Sequence, residues 1–175
     1  MAWQVLDELA RRWRAVTIPA PPVCAARRAE VAGVGVVLMQ PLTFMNNAGD
    51  VVDAWPCGPQ GPAEDLVVVC DDVHLPVGAL RIRAGGSSGG HRGLESIERA
   101  VGHRDFARLR LGVGAVESSA DLKAYVLDRF TAAEQTLVDE AALRAADAVE
   151  CWVAEGVLSA MNRFNRRAGK EVREP

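Results

Sequence analysis

The chain has 175 residues, of which 49% are hydrophobic, and this length suits one globular domain that buries about two-thirds of its unfolded surface. Its formal net charge of -3 argues against a protein that coats nucleic acid with its whole surface, so any contact with RNA has to be a local basic patch. No apolar run approaches the ~18 to 20 residues of a membrane helix, and the four cysteines form no C-x-x-C pair, so we expect a cytoplasmic protein without membrane span, disulfide framework or metal site.

The first predicted element is an amphipathic helix over residues 2–14. Apolar side chains recur at helical spacing, and charged residues fill the opposite side of the helix. No Ser, Thr, Asp or Asn precedes the helix to cap its first turn. The uncapped start at Met1 therefore indicates a chain that is cut in mid-structure.

The next predicted elements are strands, and two of them contain unbroken apolar runs. Residues 24–31 and 34–39 predict two strands joined at Ala32-Gly33, and residues 36–39 are typical of a strand covered on both faces. Residues 66–70 form a second such run, which ends at Asp71-Asp72, where open α/β sheets place their sites. We predict an α/β fold: a single domain with a mixed, mostly parallel, twisted sheet flanked by helices.

The centre of the chain combines alternating arginines with a glycine-rich loop. Residues 80–83 and 108–111 alternate with period two, as half-exposed strands do, and their arginines share one face of each strand. Such arginines suit phosphate binding, but a solvated strand face has the same pattern. Residues 85–90 let backbone N–H groups approach an anion beside the helix that begins at His91, or they are only a flexible turn.

The last predicted elements are two helices. Residues 131–134 have the form of a capping box, and the long helix that follows stops at Gly156. A short final helix covers about residues 157–165. We expect one domain over residues 1–165 and a disordered tail over residues 166–175.

Two groups of polar residues could carry chemistry. Asp71, Asp72 and His74 could form a metal site or an acid/base pair, although a lone histidine in a turn flanked by proline is more often a surface residue. Asn46 and Asn47 would ordinarily form a helix-capping turn. No serine or cysteine stands in the setting of a nucleophile elbow, so the sequence does not support a covalent mechanism.

Ordered motifs along nearly the whole chain resemble those of bacterial-type peptidyl-tRNA hydrolases. Residues 41–49 resemble K-P-x-T-[YF]-M-N-x-S-G, and residues 70–78 resemble H-D-[DE]-L-D-L-P-x-G. Residues 85–97 resemble G-G-x-x-G-H-N-G-L-x-S-I. Shorter matches follow at residues 106–114, 125–130 and 160–165.

The resemblance implies an enzyme that hydrolyses, without metal or cofactor, the ester joining a peptide to the 3′ ribose of tRNA. In that family a histidine acts as general base on water, an aspartate holds the histidine in its basic form, and asparagines place substrate and water. The implied partner is peptidyl-tRNA, bound by a cytoplasmic monomer. The implied catalytic residues are Asp71 and Asn46, and the implied substrate-binding residues are Phe44 and Asn46 at the tRNA acceptor end, His91 and Arg92 in the glycine-rich motif, and Arg81, Arg83 and Arg110 at the tRNA backbone.

Two features depart from the family pattern. The family segment V-G-L-G-N-P-G-x-x-Y-x-x-T-R-H-N, with its central strand and catalytic histidine, lies directly before the helix that opens this chain, and none of His74, His91 and His103 matches that base. Arg92 stands where the family has asparagine. We therefore expect a fold without the first central strand and no activity of residues 1–175 alone. We also expect a Met1 that is internal to a full-length hydrolase, with a truly shortened gene or a fragment as the alternatives.

Two alternatives remain at this point. One is a non-catalytic RNA-binding relative, in which Arg92 adds a phosphate contact at the expense of the asparagine. The other is a small nucleotide-binding α/β enzyme, which rests on fold analogy alone.

Overall fold

The structure is a computed structural model that describes residues 1–55, 65–114 and 130–165. The tail predicted for residues 166–175 and most of the motif at residues 125–130 lie outside these ranges. The described helices are α1 (Ala2–Arg12), α2 (Asp50–Ala54), α3 (Arg92–Val101), α4 (Ala132–Glu155) and α5 (Val157–Phe164). The described strands are β1 (Val16–Ile18), β2 (Cys24–Val31), β3 (Val34–Pro41), β4 (Val67–Asp72), β5 (Leu80–Arg83) and β6 (Ala107–Gly112), with a 3-10 turn at Met45–Asn47.

The described strands form two sheets, with the orders β1-β2-β3 and β4-β6-β5. The prediction of a mostly parallel sheet is wrong for them, because only β4 and β6 pair in parallel. A two-residue turn joins β2 to β3, with φ of 51° at Ala32 and 79° at Gly33, and so tight a connection permits only antiparallel pairing. The predicted α/β class is confirmed.

The prediction of half-exposed strands is confirmed for β5 and wrong for β6. In β5, Arg81 and Arg83 are exposed while Ile82 is buried. β6 lies between β4 and β5, so neither of its edges is free, and five of its six residues are buried. The difference arises because strand order decides which strand lies in the middle of the sheet, and period-two alternation in the sequence does not encode strand order.

Helices cover both faces of the second sheet. Val5 and Leu9 of α1 pack with the alanine-rich face of α4 and with Leu109 and Leu111 of β6. On the other side, Leu94 and Ile97 of α3 pack against Cys70 and Phe106. Within the described ranges, no helix has the length and hydropathy that crossing a bilayer requires.

The predicted helix boundaries are largely confirmed. The side chain of Thr131 accepts a hydrogen bond from the backbone N–H of Glu134, and the Glu134 carboxylate accepts one from the N–H of Thr131 at 2.9 Å. This is the predicted capping box. Gly156, with φ of 83°, separates α4 from α5, and α1 ends at Arg12, two residues earlier than predicted.

A cavity of about 1130 Å³ lies between the two sheets. β3 and β4 are the terminal strands of their sheets, and both line this cavity. Of the predicted apolar runs at residues 36–39 and 66–70, only Cys70 is buried, and the other residues are half-buried rather than covered on both faces as predicted. The physical reason is that each strand has one pairing edge beside open space, where among the described strands it has no partner.

Candidate active site

Asp71 lies near the end of β4, where its carboxylate reaches the first turn of α1. Its Oδ1 accepts a hydrogen bond from the backbone N–H of Ala2 at 2.9 Å, and its Oδ2 lies 3.4 Å from the ammonium group of Met1. The first N–H groups of a helix need acceptors and carry positive potential, so a carboxylate is favourable there. A distant residue thus supplies the cap that sequence analysis did not find, and it leaves the Asp71 side chain 30% exposed at the cavity.

Asp72 points to the other face of β4 and is buried. It accepts hydrogen bonds from the backbone N–H of His74 at 2.9 Å and from the guanidinium of Arg110 at 3.0 Å. Burial opposes ionisation, but these two hydrogen bonds and the Arg110 charge outweigh it and lower the pKa of Asp72. Since His74 is exposed and contacts Asp72 through its backbone, the structure does not form the carboxylate–imidazole pair considered above.

His91 caps α3 and lines the same cavity as Asp71. Its Nδ1 accepts a hydrogen bond from the backbone N–H of Leu94 at 3.2 Å. Burial, with a smaller contribution from the charge of Arg110, lowers the pKa of His91. A neutral imidazole whose Nδ1 accepts a hydrogen bond carries its proton on Nε2. His91 therefore presents a hydrogen-bond donor, and neither of its nitrogens is free to act as a base.

The turn after β3 exposes an aromatic side chain at the edge of the cavity. Phe44 is 84% exposed, and Met45 beside it is exposed as well. The amide of Asn46 donates to the side-chain oxygen of Asn47 at 2.8 Å, and Asn46 lines a second cavity of about 370 Å³. The interpretation of Asn46 and Asn47 as a capping turn is wrong, because α2 begins after Gly49 without a side-chain cap.

A close contact with α3 holds this turn in place. The backbone N–H of Gly49 donates to Oγ of Ser96 at 2.9 Å, and a Cβ atom at Gly49 would clash with the Ser96 carbonyl oxygen. At Gly93 a Cβ atom would meet the sulfur of Met45 and the ring of His91. Asn46, Phe44 and His91 are therefore fixed relative to one another through glycine contacts. The sequence gives no signal that Gly49, in the motif at residues 41–49, contacts Ser96, in the motif at residues 85–97.

The predicted arginines fall into two groups. Arg81, Arg83 and Arg92 are exposed, and none of them has an ion pair or a side-chain hydrogen bond with a described residue. Arg110 instead is paired with Asp72 and donates to the carbonyl oxygens of Ser87 and Ser88. The large cavity is lined by three of the predicted site residues, Asp71, His91 and Phe44, and by none of the others.

No histidine of the chain contacts the carboxylate of Asp71. His91 is engaged at the start of α3, His74 is exposed, and His103 accepts from the N–H of Asp105 and packs against Phe106. In residues 1–55, 65–114 and 130–165, no group of three or more His, Cys, Asp or Glu side chains is placed to hold a metal ion.

The contacts of Asp71 were beyond sequence reasoning, because its partners are 69 and 70 residues away. A signal was nevertheless present. An uncapped helix needs an acceptor from elsewhere, and a carboxylate after a buried strand is a suitable one.

Comparisons with known proteins agree along the chain. A family model described as "Peptidyl-tRNA hydrolase" matches residues 1–173. A peptidyl-tRNA hydrolase from Rubrobacter xylanophilus is 45% identical over 94% of this chain and 88% of its own length, and one from Chlorobium phaeobacteroides is 35% identical over 95% and 88%. The crystal structure of peptidyl-tRNA hydrolase from Acinetobacter baumannii superimposes with a TM-score of 0.86 at 29% identity, over 93% of this chain and 83% of that one.

Proposed function

Because the chain belongs to the peptidyl-tRNA hydrolase family, we propose that it hydrolyses the ester between a peptide and the 3′ ribose of tRNA. Water attacks the ester carbonyl, a general base takes the water proton, and the ribose oxygen leaves with a proton. The products are a free peptide and a tRNA with a free 3′ hydroxyl. The relatives carry the hydrolase name, which favours this reaction over the RNA-binding alternative. We further propose that the protein is a cytoplasmic monomer and that the reaction needs no metal or cofactor.

The observation that carries the proposal is the meeting of Asp71, His91 and Phe44 at one cavity. Asp71 is assigned the orienting role. A carboxylate that accepts the N–H of an imidazole fixes the tautomer whose other nitrogen is basic, and it stabilises the imidazolium that forms when the base takes a proton. The hydrogen bond from Ala2 holds one oxygen of Asp71 in place for this role.

His91 is assigned to substrate. Its Nε2–H is a donor at the cavity wall and, with a lowered pKa, stays neutral at physiological pH. Such a donor stabilises the oxyanion that develops on the ester carbonyl, and one donor of this kind contributes about 10²- to 10³-fold in rate.

The tRNA side of the proposal uses exposed residues. Phe44 offers a ring on which a base of the acceptor end stacks, a contact that contributes about 1–3 kcal/mol. Asn46, at the adjoining turn, donates and accepts hydrogen bonds to place that end and the attacking water. Arg81, Arg83 and Arg92 have exposed guanidinium groups that suit phosphates of the tRNA backbone.

The general base is proposed to be a histidine outside residues 1–175, carried by an extended segment that lies between β3 and β4. The cavity supports this, because its walls include two strand edges with apolar side chains that pair with no other described strand, and a strand between them would satisfy both edges. Asp71 lines this cavity near the end of β4, and the proposal places the histidine that follows such a strand beside it.

The test is release of N-acetyl-aminoacyl groups from tRNA by the protein purified from its own cells. Asp71→Ala and Asp71→Asn are both expected to lower kcat/KM by at least about 10²-fold. The Asn variant keeps an acceptor for the Ala2 N–H and therefore separates loss of chemistry from loss of the helix cap. Asp139→Ala, on the exposed side of α4, is the matched control.

Two results would contradict the proposal. Turnover by Asp71→Asn at the wild-type rate would remove Asp71 from the site. Full turnover by residues 1–175 alone would show that the base lies within them and that no outside histidine is needed.

A further inference from the structure

The first residue of α3, Arg92, carries a positive charge where a helix disfavours one. The N-terminus of a helix has positive potential, so acidic side chains are stabilising there and cations are not. Arg92 nevertheless follows the cap residue His91 directly, and its side chain is exposed. The charge does not serve the stability of α3, which favours a role for it in binding.

The guanidinium of Arg92 has no partner among the described residues. A carboxylate is available three residues later in α3, a spacing at which helical side chains form ion pairs. That carboxylate, Glu95, instead accepts a hydrogen bond from Oγ of Ser88 at 3.4 Å. Within the described ranges, no acceptor receives the backbone N–H of Arg92 or Gly93 either. The start of α3 thus offers a guanidinium and two N–H groups to an anion from outside.

The start of α3 also contacts the turn that carries Phe44. A Cβ atom at Gly93 would lie 2.7 Å from the sulfur of Met45, so Met45 packs directly on the backbone of Gly93. Phe44 and Arg92 are the residues that precede this contact pair, and both are exposed. Helical side chains lean toward the N-terminus, so Arg92 projects past the start of α3. An exposed ring and a free guanidinium therefore flank a contact that lines the large cavity.

The substrate carries a phosphate at a fixed place relative to its ester. The ribose that holds the peptide ester also holds, at its 5′ oxygen, the phosphate of the same nucleotide. His91, which donates to the ester in the proposed function, is the residue next to Arg92. Among all phosphates of the tRNA, this one is joined to the ester through the fewest bonds. It is therefore the phosphate that a side chain beside His91 meets first.

We propose that Arg92 binds the phosphate of the 3′-terminal nucleotide, the base of which stacks on Phe44. The chain thereby recognises the single-stranded end of its substrate. This inference rests on the proposed function and narrows it, because it assigns Arg92 to one phosphate at the ester rather than to the tRNA backbone in general. The family motif has asparagine at this position, and an amide has no charge to offer a phosphate. The contact should therefore distinguish this chain from relatives that keep the asparagine.

Two short substrates that differ by this phosphate alone test the contact. One is the N-acetyl-aminoacyl ester of adenosine, and the other is the same ester of adenosine 5′-(methyl phosphate), which has one negative charge as the tRNA linkage does. The wild-type protein purified from its own cells is expected to cleave the phosphorylated ester with a kcat/KM about tenfold higher, as one charge-assisted contact predicts. In Arg92→Gln the ratio of the two kcat/KM values should fall to about one.

Arg99→Gln is the matched control. Arg99 lies on the same face of α3, about 10 Å farther along the helix, and it too is exposed without a partner among the described residues. This variant should keep the wild-type ratio. Arg92→Gln should fold, because it removes a charge that opposes the helix dipole. A wild-type ratio of one, or an unchanged ratio in Arg92→Gln, would overturn the inference, since general damage to the site lowers both rates without changing their ratio.

Full-length tRNA with a neutral methylphosphonate at its last linkage serves where the short esters turn over too slowly to compare. The methylphosphonate should lower kcat/KM about tenfold in the wild type and in Arg99→Gln, but not in Arg92→Gln. Equal losses in all three proteins would remove Arg92 from this phosphate. A wild-type protein that released no acyl group from unmodified N-acetyl-aminoacyl-tRNA would instead contradict the proposed function itself.

Discussion

Single side chains in this protein often accept hydrogen bonds from backbone N–H groups, and two of these side chains do so across a long stretch of sequence. Asp71 accepts from the first N–H of α1, His91 accepts from the N–H of Leu94, and Ser96 accepts from the N–H of Gly49. Each of these bonds satisfies a backbone donor and at the same time fixes one wall of the candidate site. Mutations at these residues therefore change stability and function together, unless the replacement keeps the acceptor.

His91 gives a prediction about pH. Its pKa is lowered in the folded protein, first by burial and then by the charge of Arg110. In the unfolded chain the imidazole takes up a proton below about pH 6.5, whereas in the folded protein it does so only at lower pH. The unfolded state thus binds more protons in that window. The contribution of His91 to the free energy of unfolding is therefore fully present above about pH 6.5 and decreases as the pH falls toward the folded pKa.

Urea unfolding of wild type and His91→Asn at pH 7.5 and pH 5.5 measures this effect. Asparagine keeps a side-chain acceptor at the start of α3 but does not titrate. The variant is expected to lose less stability between the two pH values than the wild type does. His74→Asn, the same substitution at an exposed histidine outside the cavity, is the control. Equal losses in wild type and His91→Asn would contradict the prediction.

At the scale of elements, a side chain takes the place of a strand at the outer edge of β5. The amide of Asn165, just after α5, accepts from the N–H of Ile82 at 2.7 Å and donates to the carbonyl of Ile82 at 3.0 Å. β5 is the terminal strand of its sheet, and free edges of this kind invite pairing with other chains. Asn165 therefore protects the centre of this edge.

Asn165→Asp should lower the free energy of unfolding by about 1 kcal/mol, because the carboxylate keeps the acceptor but loses the donor and faces the Ile82 carbonyl. Asn162→Asp, the same substitution one turn earlier on an exposed part of α5, is the matched control and should be neutral within about 0.5 kcal/mol. Chemical denaturation at pH 7 measures both. If the two variants were equally stable, the amide of Asn165 would contribute nothing to the edge.

The elements that sequence analysis predicted well are those set by local chemistry. The capping box at Thr131, the stop at Gly156 and the alternation in β5 all depend on residues close together in the chain. The orientation of strands, the burial of β6 and the inward turn of Arg110 depend instead on which strands become neighbours. The same division holds at the site: the motifs indicated Asp71 and His91, but not that Ala2 and Leu94 hold them.

At the scale of the whole molecule, the cavity between the two sheets is the main irregularity of the fold. Apolar side chains of β3 and β4 face it, together with Trp13, just after α1, and Trp152 of α4. An apolar surface of this extent favours an occupant, and unpaired strand edges favour an occupant in β conformation. A strand there would join β3 to β4 and convert the two sheets into one.

The proposed strand has two measurable consequences, which come from comparing the protein made by its own cells with residues 1–175 alone. If a strand fills the cavity in the cellular protein, only residues 1–175 should enhance the fluorescence of an apolar dye such as ANS. Their thermal unfolding should also begin at a lower temperature, because a lost strand costs several kcal/mol and each kcal/mol shifts the midpoint by about 2–4 °C in a chain of this size. Leu38→Glu in residues 1–175 places a charge on the cavity wall and should abolish the dye signal. Equal dye binding and equal midpoints for the two proteins would mean that the cavity is open in the cell, and the proposed strand would then have to be abandoned together with the histidine it carries.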